Sequence, residues 1–332
     1  MTDRSEGMTA SSPNRAGLAI LSIVIGMLAI SLNDMLIKQL SGGYALHQIV
    51  FARSAIGIGL SLILVYFEGG FHLLRTNQPG LHATRGVLIV ISNMTFFLAL
   101  AALPLAEATA LFFVAPLFIT LLSIPLLGEQ VGPLRLGAVA VGFVGVLIMQ
   151  RPWAGTETLE VSRVVLLLPI VAAITYALNQ LMTRRLGVTA KASVLSVYIQ
   201  MAFIVVSVGF FLVTGDGRFA SPDADASMTF LLRAWVWPAP GDGWVFVALG
   251  VNSAVIGYCL SQAYRLADAA TVAPFEYALL PLAVFWGVVI FGELPAWEVW
   301  VGIALILSAG LFVFLCERQK ARRITRGYGL RR

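Results

Sequence analysis

The second half of this 332-residue chain repeats a pattern found in its first half. Residues 103–148 and 266–313 share an Ala-rich opening, a proline within an apolar run, a Gly-Glu pair, a short polar turn and a second apolar run with glycines. One structural unit is therefore expected to occur twice. In membrane proteins such repetition is typical of secondary transporters, whose substrate site lies between the repeats. The matching positions are Pro116 and Pro281, and Gly128-Glu129 and Gly292-Glu293.

The composition indicates that the chain lies in a lipid bilayer. Hydrophobic residues make up 59% of the chain, charged residues make up 12%, and the mean hydropathy is +0.88. This is more apolar surface than the core of a soluble domain of this length needs, so the surplus is expected to face lipid. The sequence predicts an all-α integral membrane fold with ten helices, because a run of about 20 apolar residues can cross the bilayer. The runs lie near 17–36, 46–66, 83–103, 106–127, 134–149, 164–183, 193–214, 244–264, 270–291 and 296–316.

An even number of crossings places both termini on the same side of the membrane. Most of the 22 Lys and Arg residues then lie on that side, so the positive-inside rule predicts cytoplasmic termini in the inner membrane. The basic tail is expected to contact lipid headgroups rather than nucleic acid. The expected organisation is an N-terminal tail at 1–16, a first five-helix repeat at 17–149, a periplasmic linker at 150–163, a second five-helix repeat at 164–316 with an external loop at 215–243, and a basic tail at 317–332.

No cofactor or metal site is indicated by the sequence. The three histidines are scattered over different segments without the spacing of metal ligands. The two cysteines suggest no disulfide framework. The sequence also contains no Walker-type phosphate loop.

The paired segments resemble the EamA-type family of the drug/metabolite transporter superfamily. In each copy a proline is followed about twelve residues later by Gly-Glu, then by a turn with Pro133 or Pro295 and by a last helix with spaced glycines. The resemblance covers about residues 17–316. It implies two inverted five-helix repeats that work as a carrier without ATP, by alternating access. Members of this family transport amino acids, nucleotide-like metabolites, vitamins, organic acids and drugs, so the family alone leaves the substrate open.

Two ionisable side chains lie at similar depths in the first two helices. Asp34 is close to the end of the first run, and Arg53 is about seven residues into the second. An ionisable group at membrane depth costs at least about 2.5 kcal/mol to insert, so it is normally paired or faces a water-filled cavity. Arg53 could bind an anionic group of the substrate, or Asp34 a cationic one. The alternative is a static ion pair between the two helices.

Glu276 lies between Pro274 and Pro281 in the ninth run. The missing backbone donors of the prolines predict an irregular helix that lines a cavity. A carboxyl group in such a place can take up and release a proton during transport, so Glu276 is the first candidate for proton coupling and Asp34 the second. The alternative is a carboxyl group that stays protonated and hydrogen-bonded to the backbone.

Polar and aromatic side chains on the other helices complete the predicted pocket. The amides could instead act as hydrogen-bond partners between helices. Glu129 and Glu293 end helices 4 and 9, so they are expected to order turns or to gate rather than to touch substrate. Besides Asp34, Arg53 and Glu276, the predicted pocket residues are Asn93, Phe97, Tyr176, Asn179, Tyr198, Asn252, Tyr258, Gln262 and Tyr277.

These features predict a secondary transporter for a small polar or amphipathic metabolite that is amino-acid-like, heteroaromatic or an organic acid. Proton coupling and a homodimer through the small-residue faces of helices 5 and 10 are left open. One alternative is an uncoupled facilitator or exchanger. An intramembrane enzyme acting on lipid-linked substrates would need clustered catalytic groups, which the sequence does not contain.

Overall fold

The computed structural model describes residues 13–76, 78–128, 131–153, 161–186, 192–221, 223–266 and 273–329. Every regular element within these ranges is helical, in agreement with the predicted all-α class. Short 3-10 turns lie at Phe71–Leu74 and Ala273–Ala278. The helices are α1 (Pro13–Leu40), α2 (Leu46–Glu68), α3 (Pro79–Leu100), α4 (Leu105–Phe112), α5 (Ala115–Leu127), α6 (Pro133–Gln150), α7 (Arg163–Leu186), α8 (Ala192–Thr214), α9 (Ala226–Leu232), α10 (Gly243–Leu266), α11 (Leu279–Phe291) and α12 (Trp297–Gly329).

Within the described ranges, nine helical segments are long and apolar enough to cross a membrane. The described part of the ninth predicted run (270–291), from residue 273 onward, forms instead a 3-10 turn followed by α11, and its apolar helical part, Phe275–Phe291, is shorter than the other nine segments. The reason is local, because Pro281 has no backbone N–H and cannot donate the hydrogen bond of a continuous α-helix. The protein is thus a multi-pass membrane protein in which the ninth predicted run is irregular.

The fourth predicted run is also interrupted. The sequence predicts one helix over 106–127, but α4 ends at Phe112 and α5 begins at Ala115. Pro116 lies in the first turn of α5, where a missing N–H has no cost because the first donors of a helix lack partners anyway. The two segments that carry the repeated proline, Pro116 in the first half and Pro281 in the second, are therefore interrupted.

The two Gly-Glu motifs end helices of the same length. Both α5 and α11 have 13 residues, and each is followed by a glycine in the left-handed conformation. The φ angles of Gly128 and Gly292 are 68° and 66°. Glycine adopts this conformation without the steric cost that a Cβ atom would bring. Glu129 lies outside the described residues, whereas Glu293 is described and takes part in contacts presented below.

The most extensive helix contacts join the two halves of the chain. The second helix of the first half, α2, packs on α8, the second helix of the second half, and the last helices, α6 and α12, pack on each other. The first long helix of each half packs on the third long helix of the other half, so that α1 packs on α10 and α7 packs on α3. The helices thus pair in the same way when the halves are exchanged.

Glycines allow α6 and α12 to approach closely. A Cβ atom on Gly302 would overlap the side chain of Met149 and lie 3.1 Å from the carbonyl oxygen of Gly145. A Cβ atom on Gly145 would lie 3.0 Å from that of Leu305. Small residues at such a crossing let two membrane helices pack backbone against backbone. The contact between the two helices is centred on Gly145 and Gly302, whereas Ala304 and Ser308, the small-residue face predicted in helix 10, are exposed.

Gly302→Val is expected to destabilise the α6–α12 contact. Forcing extra methyl groups into a packed contact typically costs about 1–3 kcal/mol, so the apparent melting temperature of the purified protein should fall. Gly137→Val is the matched control, because Gly137 also lies on a helix of this pair but a Cβ atom added there would meet no other atom within 4 Å. Equal melting temperatures for the two variants would contradict the importance of this contact.

The loop between α8 and α10 is held against the ends of α1 and α2. The side chain of Gln48 donates to the carbonyl of Val236 at 2.5 Å and accepts from its N–H at 3.2 Å. The hydroxyl of Tyr44 donates to the carboxylate of Asp242 at 2.6 Å, and this hydrogen bond raises the pKa of Tyr44 because it stabilises the protonated phenol. Trp237 is 93% exposed, as expected for a side chain at a membrane interface.

Candidate functional site

A buried arginine lies at the centre of the contacts among α1, α2, α3 and α8. The guanidinium carbon of Arg53 lies 5.3 Å from the ring centre of Phe97 and 5.1 Å from that of Phe203. Both distances are within the range of cation–π attraction. The side chain of Arg53 is buried, and its Nε has no hydrogen-bond partner. A guanidinium has five N–H donors, so Arg53 keeps donors that a bound molecule can use.

Asn33 connects Arg53 to Asp34. Arg53 donates from NH1 to Asn33 Oδ1 at 3.1 Å, and Asn33 donates from Nδ2 to Asp34 Oδ1 at 3.1 Å. All three side chains are buried. In the described part of the chain no direct ion pair forms between Asp34 and Arg53, although the two charges interact at longer range. Asn33 thus connects the two charged side chains, in place of the direct contact that a static ion pair would make. The residues Asn33, Asp34, Arg53, Phe97 and Phe203 are called the Arg53 cluster below.

A second group of aromatic and polar side chains lies around Tyr176 on α7. Gln180 donates to the Tyr176 hydroxyl at 2.7 Å, and the Phe112 ring lies 5.5 Å from the Tyr176 ring. The carboxyl group of Glu276 is close enough to act electrostatically on Tyr176 and on Tyr277. We call these five residues the Tyr176 cluster.

Aromatic rings link the two clusters. Phe96 lies 6.1 Å from Phe97 of the Arg53 cluster and 5.2 Å from Phe112 of the Tyr176 cluster. Phe113 in turn lies 5.4 Å from Tyr277. Phe112, Phe113 and Tyr277 lie at the two interrupted segments of the fold, and the ring contacts connect the buried Arg53 to the half-buried Glu276.

Other predicted pocket residues make contacts of their own. Asn93 donates to the carbonyl of Ile89 on its own helix at 2.9 Å. Asn252 donates to the carbonyl of Ala29 and so joins α10 to α1, which is the interhelical role left open above. Asn179 is buried on α7, and Gln262 is half-buried on α10.

Two predicted pocket residues lie away from both clusters. The hydroxyl of Tyr198 donates to the carbonyl of Leu74 at 2.5 Å, and its ring stacks on His82 at 4.5 Å. These contacts lie beside the turn between α2 and α3. Tyr258 is 47% exposed on α10. A pocket role for either tyrosine stays a prediction.

Five buried or half-buried contributors are absent from the predicted site residues. Asn33 and Phe203 belong to the Arg53 cluster, Phe112 and Gln180 belong to the Tyr176 cluster, and Trp286 donates from Nε1 to Ser31 at 3.2 Å. Asn33 could have been found from its neighbour Asp34, because the pair Asn33-Asp34 corresponds to Asn179-Gln180 in the second half. Phe203 and Trp286 carry no such signal, since aromatic residues are common in apolar runs.

No group of three or more His, Cys, Asp or Glu side chains in the described residues is arranged to hold a metal ion. The two clusters instead offer aromatic rings, amides, one guanidinium and two carboxyl groups. Such a site can bind a planar, hydrogen-bonding organic molecule.

Comparison with known proteins finds similar sequences among named transporters. Residues 17–151 match the model of the EamA-like transporter family. A protein of Rhizobium johnstonii named riboflavin transporter is 32% identical over 324 residues, which cover 97% of this chain and 99% of that protein. A protein of Rickettsia prowazekii named S-adenosylmethionine uptake transporter is 26% identical, and the match covers 89% of this chain and 92% of that protein.

A solved crystal structure shares the fold. It has a TM-score of 0.59 with this chain and 20% sequence identity, and the match covers 89% of this chain and 98% of the other. The full-length similarity to a named transporter and the family match agree with the resemblance noted in the sequence. The chain therefore belongs to the EamA-like transporter family and is a membrane transporter of a small metabolite, not an enzyme.

Proposed function

We propose that this protein is a secondary carrier of riboflavin or a closely similar flavin across the inner membrane. The observation that carries the proposal is the Arg53 guanidinium, which lies between the rings of Phe97 and Phe203 with donors unused. Riboflavin combines a planar ring system, which stacks on aromatic side chains, with carbonyl oxygens that accept hydrogen bonds from a guanidinium. The name of the Rhizobium johnstonii relative supports the same substrate.

The carrier would consist of ten segments arranged as two inverted five-segment repeats, with the irregular segment at Phe275–Phe291 as the ninth. Two observations support this arrangement. The helices pair in the same way when the two halves are exchanged, and α5 and α11 both end at a left-handed glycine followed by glutamate. Both termini would be cytoplasmic, in line with the positive-inside rule. The Arg53 and Tyr176 clusters would form the substrate chamber where the halves meet, open to each side in turn.

Proton coupling would depend on Glu276 in this scheme. Glu276 lies in the 3-10 turn that precedes α11, close to Tyr176 and Tyr277. A carboxyl group at an irregular backbone position between the halves can change its surroundings when the halves move, and can therefore exchange protons with alternate sides. Asp34 is the second candidate. An uncoupled exchanger is the remaining alternative.

S-adenosylmethionine is the second candidate substrate. The specific observation in its favour is the buried carboxyl group of Asp34, which could face a sulfonium cation. The name of the Rickettsia prowazekii relative points the same way, at lower identity.

Counterflow in proteoliposomes tests the proposal. Vesicles loaded with unlabelled riboflavin should take up labelled external riboflavin in a saturable manner, because a carrier exchanges substrate across its chamber. S-adenosylmethionine inside should not drive this uptake. Vesicles without protein provide the blank. Exchange of S-adenosylmethionine without exchange of riboflavin would replace the first candidate with the second.

A further inference from the structure

We propose that the ion pair between Lys38 and Glu293 is a latch that closes one end of the chamber and opens during each transport cycle. The Nζ–Oε1 distance is 2.9 Å. Lys38 lies in the last turn of α1, and Glu293 follows the glycine that ends α11, so the pair joins the two halves. The inference rests on alternating access but not on the identity of the substrate.

The position of the pair defines one face of the bundle. Since α1 ends and α12 begins beside the latch, the other ends of these two helices point to the opposite face. The latch therefore lies on the side away from both chain ends. We call this side the Lys38 face.

The ammonium group of Lys38 has a partner for each of its three N–H donors. Besides Glu293, it donates to the carbonyl of Leu100 at 3.1 Å and to that of Leu103 at 2.6 Å. Both carbonyls belong to the end of α3 and the turn after it, where helix carbonyls lack partners and the helix dipole favours a cation. Only 10% of the Lys38 side chain is exposed.

The carboxylate of Glu293 has the complementary surroundings. Its Oε2 accepts the N–H of Leu105 at 3.0 Å, at the first residue of α4. Pro104 provides no side-chain cap there, so Glu293 from the other half satisfies the helix N-terminus, where the dipole favours an anion. The cation of the pair thus contacts the C-terminal end of α3, and the anion contacts the N-terminal end of α4. Each charge has the sign that the dipole of its helix end favours.

A second contact supports the same junction at greater depth. Trp286 on α11 donates to Ser31 on α1 at 3.2 Å. Ser31 lies seven positions before Lys38, and Trp286 lies seven positions before Glu293, a separation of about 10 Å along a helix. Asn33 of the Arg53 cluster lies on α1 between the two levels. Separation of α1 from α11 would therefore open the bundle at the depth of the Arg53 cluster.

Labelling of a buried cysteine tests the latch without any substrate. The reporter is Ser31→Cys in a chain whose native cysteines are replaced, Cys259→Ser and Cys316→Ser. A membrane-impermeant maleimide is added from the Lys38 face of oriented vesicles. Adding Glu293→Gln should accelerate labelling about tenfold, because the ion pair is lost while the side-chain shape is kept. Lys38→Met provides a second disruption and should have the same effect.

The control variant removes a different ion pair on the same face. Asp216 and Arg218 lie 3.7 Å apart, are well exposed and belong to the same half. Asp216→Asn should leave the labelling rate unchanged. Labelling rates that stay equal in the reporter, the Glu293→Gln variant and the Lys38→Met variant would overturn the latch. Such a result would leave the proposed substrate untouched, because counterflow measures that separately.

Discussion

Arg53→Gln is expected to weaken riboflavin binding by about 10- to 100-fold and to slow uptake accordingly. A hydrogen bond to a charged group contributes about 1.5–3 kcal/mol, and a tenfold change in affinity corresponds to about 1.4 kcal/mol. Glutamine removes the charge and the planar fork but remains polar. The dissociation constant can be measured by quenching of riboflavin fluorescence with purified protein, and uptake can be measured in proteoliposomes.

Arg53→Lys separates charge from geometry. Lysine keeps the positive charge but not the flat guanidinium that stacks between Phe97 and Phe203. Binding by this variant should be intermediate. If charge alone mattered, Arg53→Lys would bind like the unmodified protein.

Two measurements distinguish a binding role of Arg53 from a structural one. The elution profile and melting temperature of Arg53→Gln should stay close to those of the unmodified protein, since the second half carries the neutral Gln200 at the corresponding position of α8. Arg218→Gln, an exposed change on the Lys38 face, should bind riboflavin normally. A folded Arg53→Gln protein with unchanged affinity would remove Arg53 from the substrate site.

The fold could be predicted closely wherever the helices are regular. The run expected at 134–149 forms α6 at Pro133–Gln150, and the run at 244–264 forms α10 at Gly243–Leu266. Length and hydrophobicity define such helices because the bilayer has a fixed thickness. The interruption before Pro116 could not be predicted in the same way, since a proline in an apolar run can either begin a helix or kink one.

The site is harder to predict than the fold. Arg53 and Asp34 are conspicuous because ionisable residues are rare in apolar runs. Polarity alone also favours Tyr198 as a pocket residue, but its hydroxyl contacts the turn at Leu74. A membrane helix that is apolar all round gives no sequence signal for which face meets the protein interior. The contact between Lys38 and Glu293 likewise depends on the packing of distant segments.

Glu276→Gln is expected to abolish the accumulation of riboflavin driven by a pH gradient while leaving counterflow in place. Counterflow needs only movement of the loaded carrier between its two states, whereas accumulation needs a group that binds a proton on one side and releases it on the other. Glutamine resembles the protonated carboxyl group in shape but cannot release a proton. The predicted loss therefore concerns coupling and not substrate binding.

The expected size of this loss follows from thermodynamics. With one proton carried per substrate, a gradient of one pH unit supports roughly tenfold accumulation, because each pH unit is worth about 1.4 kcal/mol. The Glu276→Gln variant should reach a concentration ratio of about one. Proteoliposomes with an acidic exterior and labelled riboflavin measure the ratio directly, and a proton ionophore added to the unmodified carrier should give the same result.

Asp34→Asn is the matched comparison for Glu276→Gln, since it neutralises the carboxyl group of the other cluster. If Glu276 couples the proton, Asp34→Asn should lower the rate through its contact with Asn33 but still reach roughly tenfold accumulation. The opposite pattern, with accumulation lost in Asp34→Asn and kept in Glu276→Gln, would move the coupling role to Asp34. Accumulation that persists in both variants would exclude both carboxyl groups as the coupling site. A ratio of one in the unmodified protein would identify an exchanger, whose direction is set by the substrate gradient alone.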